Sequence, residues 1–196
     1  MGFTAEMQEE TGVNRVRVDL SRYDSVSYAP GGVVKRALWY LTSLVFFETL
    51  IPWPSRWKAS ILRLFGAVMG TAVVIKPQVK IKYPWFLAVG DHAWIGEEVW
   101  IDNPAQVTIG AQAVISQGAY LLSGNHDYRA ERFDLKLAPV VIGDGAWVCA
   151  KAVIAPGCEV GREAVIGLGA VLSSDAEPNA VYAGNPAARI RERFPV

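Results

Sequence analysis

Residues 142–172, IGDGAWVCAKAVIAPGCEVGREAVIGLGAVL, decide the fold. An aliphatic residue returns at every sixth position, as Ile142, Val148, Ile154, Val160, Ile166 and Leu172. The same beat runs upstream through Val89, Ile95 and Ile101 and through Ile109, Ile115 and Leu121. Two positions before the aliphatic residue stands a small or β-branched one: Ala93, Val99, Ala105, Ala113, Ala146, Ala152, Cys158, Ala164 or Ala170. Side chains two apart in a strand point the same way, so each such pair shares one interior face. Glycine often follows the aliphatic residue, at Gly90, Gly96, Gly110, Gly143, Gly161 and Gly167. A period of six is too short for a hairpin and wrong for a helix, which repeats every three or four residues. It fits short strands joined by corners and wound into a coil, three hexapeptides to a turn. Ile142 to Val160 spans 18 positions, whereas Met69 to Val89 and Val89 to Ile109 each span 20, so the two earlier turns carry two extra residues at one phase. The expected class is all-β, with the coil over 69–196 and a partly helical extension over 1–68.

The ladder breaks once in its second half, between Leu121 and Ile142. The intervening Asp127, Arg129, Glu131, Arg132, Asp134 and Lys136 are too charged for the interior, so a loop over about 123–140 should protrude and carry function. At its entrance lies Ser123-Gly124-Asn125-His126-Asp127. Imidazole titrates, when unperturbed, near pH ~6.5, which suits it to taking a proton from a hydroxyl and passing it on. The other histidine, His92, reads as an exposed turn residue. Trp94, Trp100 and Trp147 directly precede inward aliphatic residues, so the pleat turns them outward, where an apolar ring needs cover.

The chain of 196 residues is 52% hydrophobic and has 19 basic against 19 acidic residues, which argues against a disordered chain and against nucleic acid as a partner. Two cysteines without a disulfide pattern, and an opening stretch holding Glu6, Glu9 and Glu10 with no apolar run, point to a reducing, cytoplasmic setting. The apolar run 37–51 is too short to span a bilayer and stops at Pro52 and Pro54. We read it as a helix packed on its own protein. The alternative is a helix lying on an anionic membrane, the inner face of the cell membrane, with Lys35, Arg36, Arg56, Lys58 and Arg63 beside it.

The repeat resembles the hexapeptide-repeat acyltransferases over about 120 residues. Within them, WIGEEVWIDN (94–103), SQGAYLLSGNHD (116–127) and AGNPAARI (183–190) are similar to the colanic-acid WcaF-type sugar O-acetyltransferases, relatives of the maltose, galactoside and nodulation enzymes. The resemblance implies a left-handed coil, a homotrimer with sites at subunit interfaces, acetyl-CoA as co-substrate, no metal, a sugar or sugar-conjugate acceptor, and a role in exopolysaccharide or cell-surface polysaccharide synthesis. It makes His126 the general base for direct attack of a sugar hydroxyl on the thioester. Asp102, Asn103, Asn125 and Asp127 are the candidates for orienting the imidazole, with Asp102, Asn103 and Trp100 for the acceptor pocket. Maltose and galactoside enzymes have an asparagine where this chain reads Gly96-Glu97-Glu98, which leaves sugar preference open. By family position Trp147, Ala150, Gly167, Leu168, Ser173 and Ser174 line the CoA groove. Ser174 replaces a lysine that Lys151, Arg189 and Arg191 could make good, and the Asn185-Pro186 loop should fold over the last coil beside the adenine. Cys149 stands where glycine is usual, but nothing nearby would lower its pKa into nucleophilic range. A γ-class carbonic anhydrase needs three histidines and fails on count. A nucleotidyltransferase would need a further domain. The rival left standing is a non-catalytic β-helix scaffold.

Overall fold

The computed structural model describes residues 17–24 and 28–195; the acidic opening stretch with Glu6, Glu9 and Glu10 lies outside them. The chain winds into a parallel β-helix with three faces. The first face stacks Val68–Met69, Leu87–Val89, Val107–Ile109, Val140–Ile142 and Glu159–Val160. The second stacks Val74–Ile75, Trp94–Ile95, Val114–Ile115, Trp147–Val148, Val165–Ile166 and Ala180–Gly184, and the third Lys80–Ile81, Trp100–Asp102, Tyr120–Leu122, Val153–Ile154 and Val171–Leu172. Neighbouring strands are in register, Trp94 over Val74 and Val114 for example, so the six-residue beat becomes columns of like residues. Ile95, Ile115, Val148, Ile154 and Ile166 are wholly buried, and the alanines two places before them fill the corners of the interior. Trp94, Trp100 and Trp147 stay 55%, 44% and 43% exposed, as the pleat requires. Glycine after the aliphatic residue has a steric cause: a Cβ at Gly90 would lie 2.4 Å from the Ala111 nitrogen of the next coil. His92 is indeed an exposed corner residue, in the left-handed region at φ 57°.

A coil stack has two open ends, and each leaves backbone groups without a neighbouring coil. At the first end the carbonyls of the opening coil meet two helices, α1 (Val33–Phe46) and α2 (Ser55–Leu64). Trp39 of α1 donates its indole N–H to the Ile81 carbonyl at 2.8 Å. From α2, Lys58 donates to the Lys76 carbonyl at 2.8 Å, and Arg63 to those of Met69 and Gly70 at 3.0 and 2.8 Å. Lys58 is fully buried there, and desolvation pulls its pKa down to about 8. Two of the cations that would suit a membrane flank, Lys58 and Arg63, therefore close the end of the sheet instead. The run 37–51 does pack on its own protein, through Trp39, Ser43 and Phe47.

At the far end Ala180 and Tyr182 continue the interior column above Ala164 and Ile166, and the Tyr182 hydroxyl accepts from the Glu177 N–H. Ala180–Gly184 then pairs antiparallel with Ala187–Glu192. Closure thus comes from Ala180 and Tyr182. Contrary to the sequence reading, Asn185 and Pro186 form the exposed tip of this hairpin and do not cover the coil.

All the additions to the coil fall at one corner, between the third face and the first. In successive turns they are the 3-10 turn Pro84–Phe86, the link Asn103 to Gln106, and the segment 123–139. The last holds an antiparallel pair, Gly124–His126 with Leu135–Leu137.

Candidate active site

His126 closes the first strand of that pair, opposite Leu135. Its imidazole is half-buried and lies flat on Phe133, with ring centroids 4.5 Å apart and planes within 8°. Tyr23, from the segment that precedes α1, sits against it at 5.6 Å and 57°. That segment is tied to the hairpin by the Asp19 N–H donating to the Glu131 carbonyl at 2.8 Å, by the Arg22 to Glu131 ion pair, and by Arg132 and Asp24 at 3.9 Å. The Nδ1 atom of His126 lies 2.8 Å from the Phe133 carbonyl oxygen. A carbonyl can only accept, so Nδ1 carries the proton, and Nε2 of the neutral ring keeps its lone pair. Phe133 has φ 51°, in the left-handed region that corner residues of the coil such as His92 also adopt.

None of the four orienting candidates holds the imidazole. Asn125 uses its side-chain oxygen to accept the His126 backbone N–H at 2.8 Å. Asp127 caps the hairpin turn: the Lys136 ammonium 2.8 Å away and the Arg129 N–H hold its carboxyl below the usual range. Asn103 is fully buried, and its amide is taken up by the chain itself. It donates to the Tyr83 and Phe86 carbonyls and accepts the Tyr83 N–H, bracing the 84–86 insertion. Asp102 pairs with Lys82 at 2.8 Å and accepts from the Tyr120 hydroxyl at 3.3 Å. Burial, then the Asp102 charge, push the Tyr120 phenol up to about 12. The residues that touch the imidazole, Phe133 and Tyr23, do not stand out in the sequence as site residues. One signal was available for Phe133, an apolar ring set between the charged Arg132 and Asp134.

Asp102 and Trp100 do meet in a cavity of about 410 Å³ between α1 and the third face, walled also by Arg36, Trp39, Tyr40 and Lys82. Trp100 stacks on Tyr120 at 4.6 Å. The cavity adjoins the hairpin base, because the Asp102 carbonyl takes the Ser123 N–H at 3.0 Å. Ser123 is buried and locked to both backbone groups of Ala105, which fixes where the hairpin leaves the coil.

The residues expected to line a CoA groove divide between two corners. Trp147, Ala150, Lys151, Gly167 and Leu168 follow the corner between the second and third faces, where the Gly169 N–H reaches the Ala150 carbonyl at 3.0 Å. The Trp147 indole donates to Ser116 Oγ at 2.8 Å, and a cavity of about 190 Å³ continues the corner past Trp94, Glu97 and Gln117. Ser173 and Ser174 lie one face further round, exposed, after Leu172. Arg189 is paired with Glu177 at 3.2 Å and Glu192 at 3.4 Å, and Arg191 is exposed on the same edge strand. Burial raises the pKa of Cys149, which keeps it a thiol and unsuited to attack. Among the described residues no cluster of histidine, cysteine or carboxylate could hold a metal.

Comparison with known proteins places this architecture among acyl-transfer enzymes. The family described as Bacterial transferase hexapeptide (six repeats) matches residues 139–174. WcaF of Escherichia coli (strain K12), which bears the name colanic acid biosynthesis acetyltransferase, is 41% identical over 163 residues, 83% of this chain and 90% of that protein. A galactoside acetyltransferase solved in complex with coenzyme A superposes with a TM-score of 0.74 at 27% identity, over 82% of each chain. The hexapeptide-repeat acetyltransferase VCA0836 of Vibrio cholerae shares the fold, with a TM-score of 0.75 at 21% identity, over 83% of this chain and 92% of that one. The chain belongs to the hexapeptide-repeat acetyltransferases, in the branch that includes WcaF.

Proposed function

We propose that the enzyme moves the acetyl group of acetyl-CoA directly onto a sugar hydroxyl during cell-surface polysaccharide synthesis, with His126 as general base. The observation that carries this reading is the 2.8 Å contact from Nδ1 to the Phe133 carbonyl, because it leaves Nε2 free to take the hydroxyl proton. As the hydroxyl oxygen bonds to the thioester carbon, the proton passes to Nε2. When the C–S bond breaks, the same proton returns to the CoA sulfur, so no acyl-enzyme forms and no metal is called for. The Trp147 corner suits the donor: it is long, partly apolar and lined by backbone and Lys151. The α1 cavity suits the acceptor, since aromatic walls with a few convergent polar groups, Arg36, Lys82 and Asp102, favour a ring bearing hydroxyls. The exposed Trp94, Trp147 and Leu168 on one side of the coil need cover, which a homotrimer would provide.

Release of CoA thiol from acetyl-CoA, followed with a panel of hexoses and hexose conjugates, tests the activity. His126→Ala should lower kcat/KM by about 10²- to 10⁴-fold while acetyl-CoA still binds. Parent-level turnover by that variant with the true acceptor would overturn the mechanism, and a parent protein that bound no acetyl-CoA would favour the scaffold reading.

A further inference from the structure

We propose that the outer face of α1, with the tryptophans beside its C-terminal end, is a docking surface for an anionic lipid bilayer. At 100° per residue, the side chains α1 turns inward, Trp39, Ser43 and Phe46, occupy one narrow stripe. The opposite arc, roughly 160° wide, carries Val33, Val34, Ala37, Leu38, Tyr40, Leu41, Leu44 and Val45, all exposed, and no charged residue. Val33 and Val34 are 72% and 73% exposed and Leu41 61%, so this arc has no cover within the chain. The surface continues beyond the helix. Trp53 donates its indole N–H to the Val45 carbonyl at 3.0 Å and leads by ring contact to Trp57, itself 47% exposed.

Charge decides the occupant. Residues 28–66 contain Lys35, Arg36, Arg56, Lys58 and Arg63 but one acid, Glu48, which accepts a hydrogen bond from Ser43. In a chain of 19 basic and 19 acidic residues, the remainder holds 14 basic against 18 acidic. Lys58 and Arg63 are engaged with the coil end; Lys35, whose ammonium lies 4.3 Å from the Trp85 ring centroid, and Arg56 are exposed to solvent. An uncharged apolar arc with cations nearby and tryptophans at one end has the composition of a helix that lies in the headgroup layer. A second copy docking by the same face would bring two patches of like charge together, which an anionic surface does not. The contact proposed for the trimer is elsewhere, on the second face of the coil. No described helix is long and apolar enough to cross a membrane, so the contact is peripheral.

The test is co-sedimentation of the full-length protein with vesicles of phosphatidylcholine containing phosphatidylglycerol, and with phosphatidylcholine alone, at about 0.05 M and about 0.5 M salt. The protein should pellet with the anionic vesicles and several-fold less at the higher salt. A Leu41→Asp, Leu44→Asp double variant should partition about tenfold less or weaker still. Both side chains are exposed, so the variant should keep the parent's melting temperature and its rate with a soluble acceptor. Independently of any variant, lipids brominated near the headgroup should quench tryptophan emission of the parent. A parent that stays in the supernatant with anionic vesicles and is not quenched overturns the proposal. So does a parent that ignores vesicles while the double variant loses an oligomeric form in sedimentation velocity, since the face would then lie between copies.

Discussion

The stretch 142–172 and the corner that carries 84–86, 103–106 and 123–139 belong to one coil but follow opposite rules. In the first, six positions separate each buried aliphatic residue from the next without exception, because its backbone pairs in register with neighbouring coils. An extra residue within a strand would turn every later side chain to the wrong face. At the corner, the chain has finished one face and not begun the next, so residues can be added there without disturbing any column. The difference teaches where such a scaffold can gain chemistry. The Ser123 carbonyl accepts the Ala138 N–H at 3.0 Å, so the whole hairpin leaves and rejoins the coil at nearly one point.

This separation can be broken deliberately. Replacing 124–137 by a two-residue turn should abolish acetyl transfer, a fall of about 10²-fold or more, while the coil still folds, as circular dichroism would show. Loss of folding would mean that the hairpin supports the stack after all. Next in size, Ile154→Ala in the regular region should cost about 2–5 kcal/mol in urea unfolding, whereas Leu137→Ala, at a hairpin position 38% exposed, should cost under about 1 kcal/mol. Equal costs would erase the distinction. Smallest is Tyr23→Ala, which removes one ring from the imidazole. It should lower kcat/KM by about 2- to 10-fold, with Tyr23→Phe close to the parent and the melting temperature unchanged in both. A KM effect alone would assign Tyr23 to binding rather than to positioning the imidazole.

The repeat made the coil legible before any coordinates. Ile142, Val148 and Ile154 could be placed inside, and Trp94, Trp100 and Trp147 outside, because strand alternation and a period of six are local properties of the chain. His126 could be singled out by its place at the break in the repeat and by resemblance. Its surroundings could not. The Phe133 carbonyl reaches Nδ1 only because an antiparallel turn brings a residue seven positions away to the ring, and Tyr23 arrives from more than a hundred positions upstream. In the sequence Asn103, a polar side chain at a corner, looks available to an acceptor, but the neighbouring insertion buries it against Tyr83 and Phe86.

The sequence by itself determined the three-sided coil, the inward and outward faces, and the site of the one large insertion, since each depends on spacing between near neighbours. Only the tertiary structure decided which group holds the imidazole, that Lys58 and Arg63 satisfy the end of the sheet, and that α1 keeps an uncovered apolar arc. Those outcomes depend on which unpaired backbone groups and open surfaces distant segments happen to meet, and residue spacing along the chain carries no record of that.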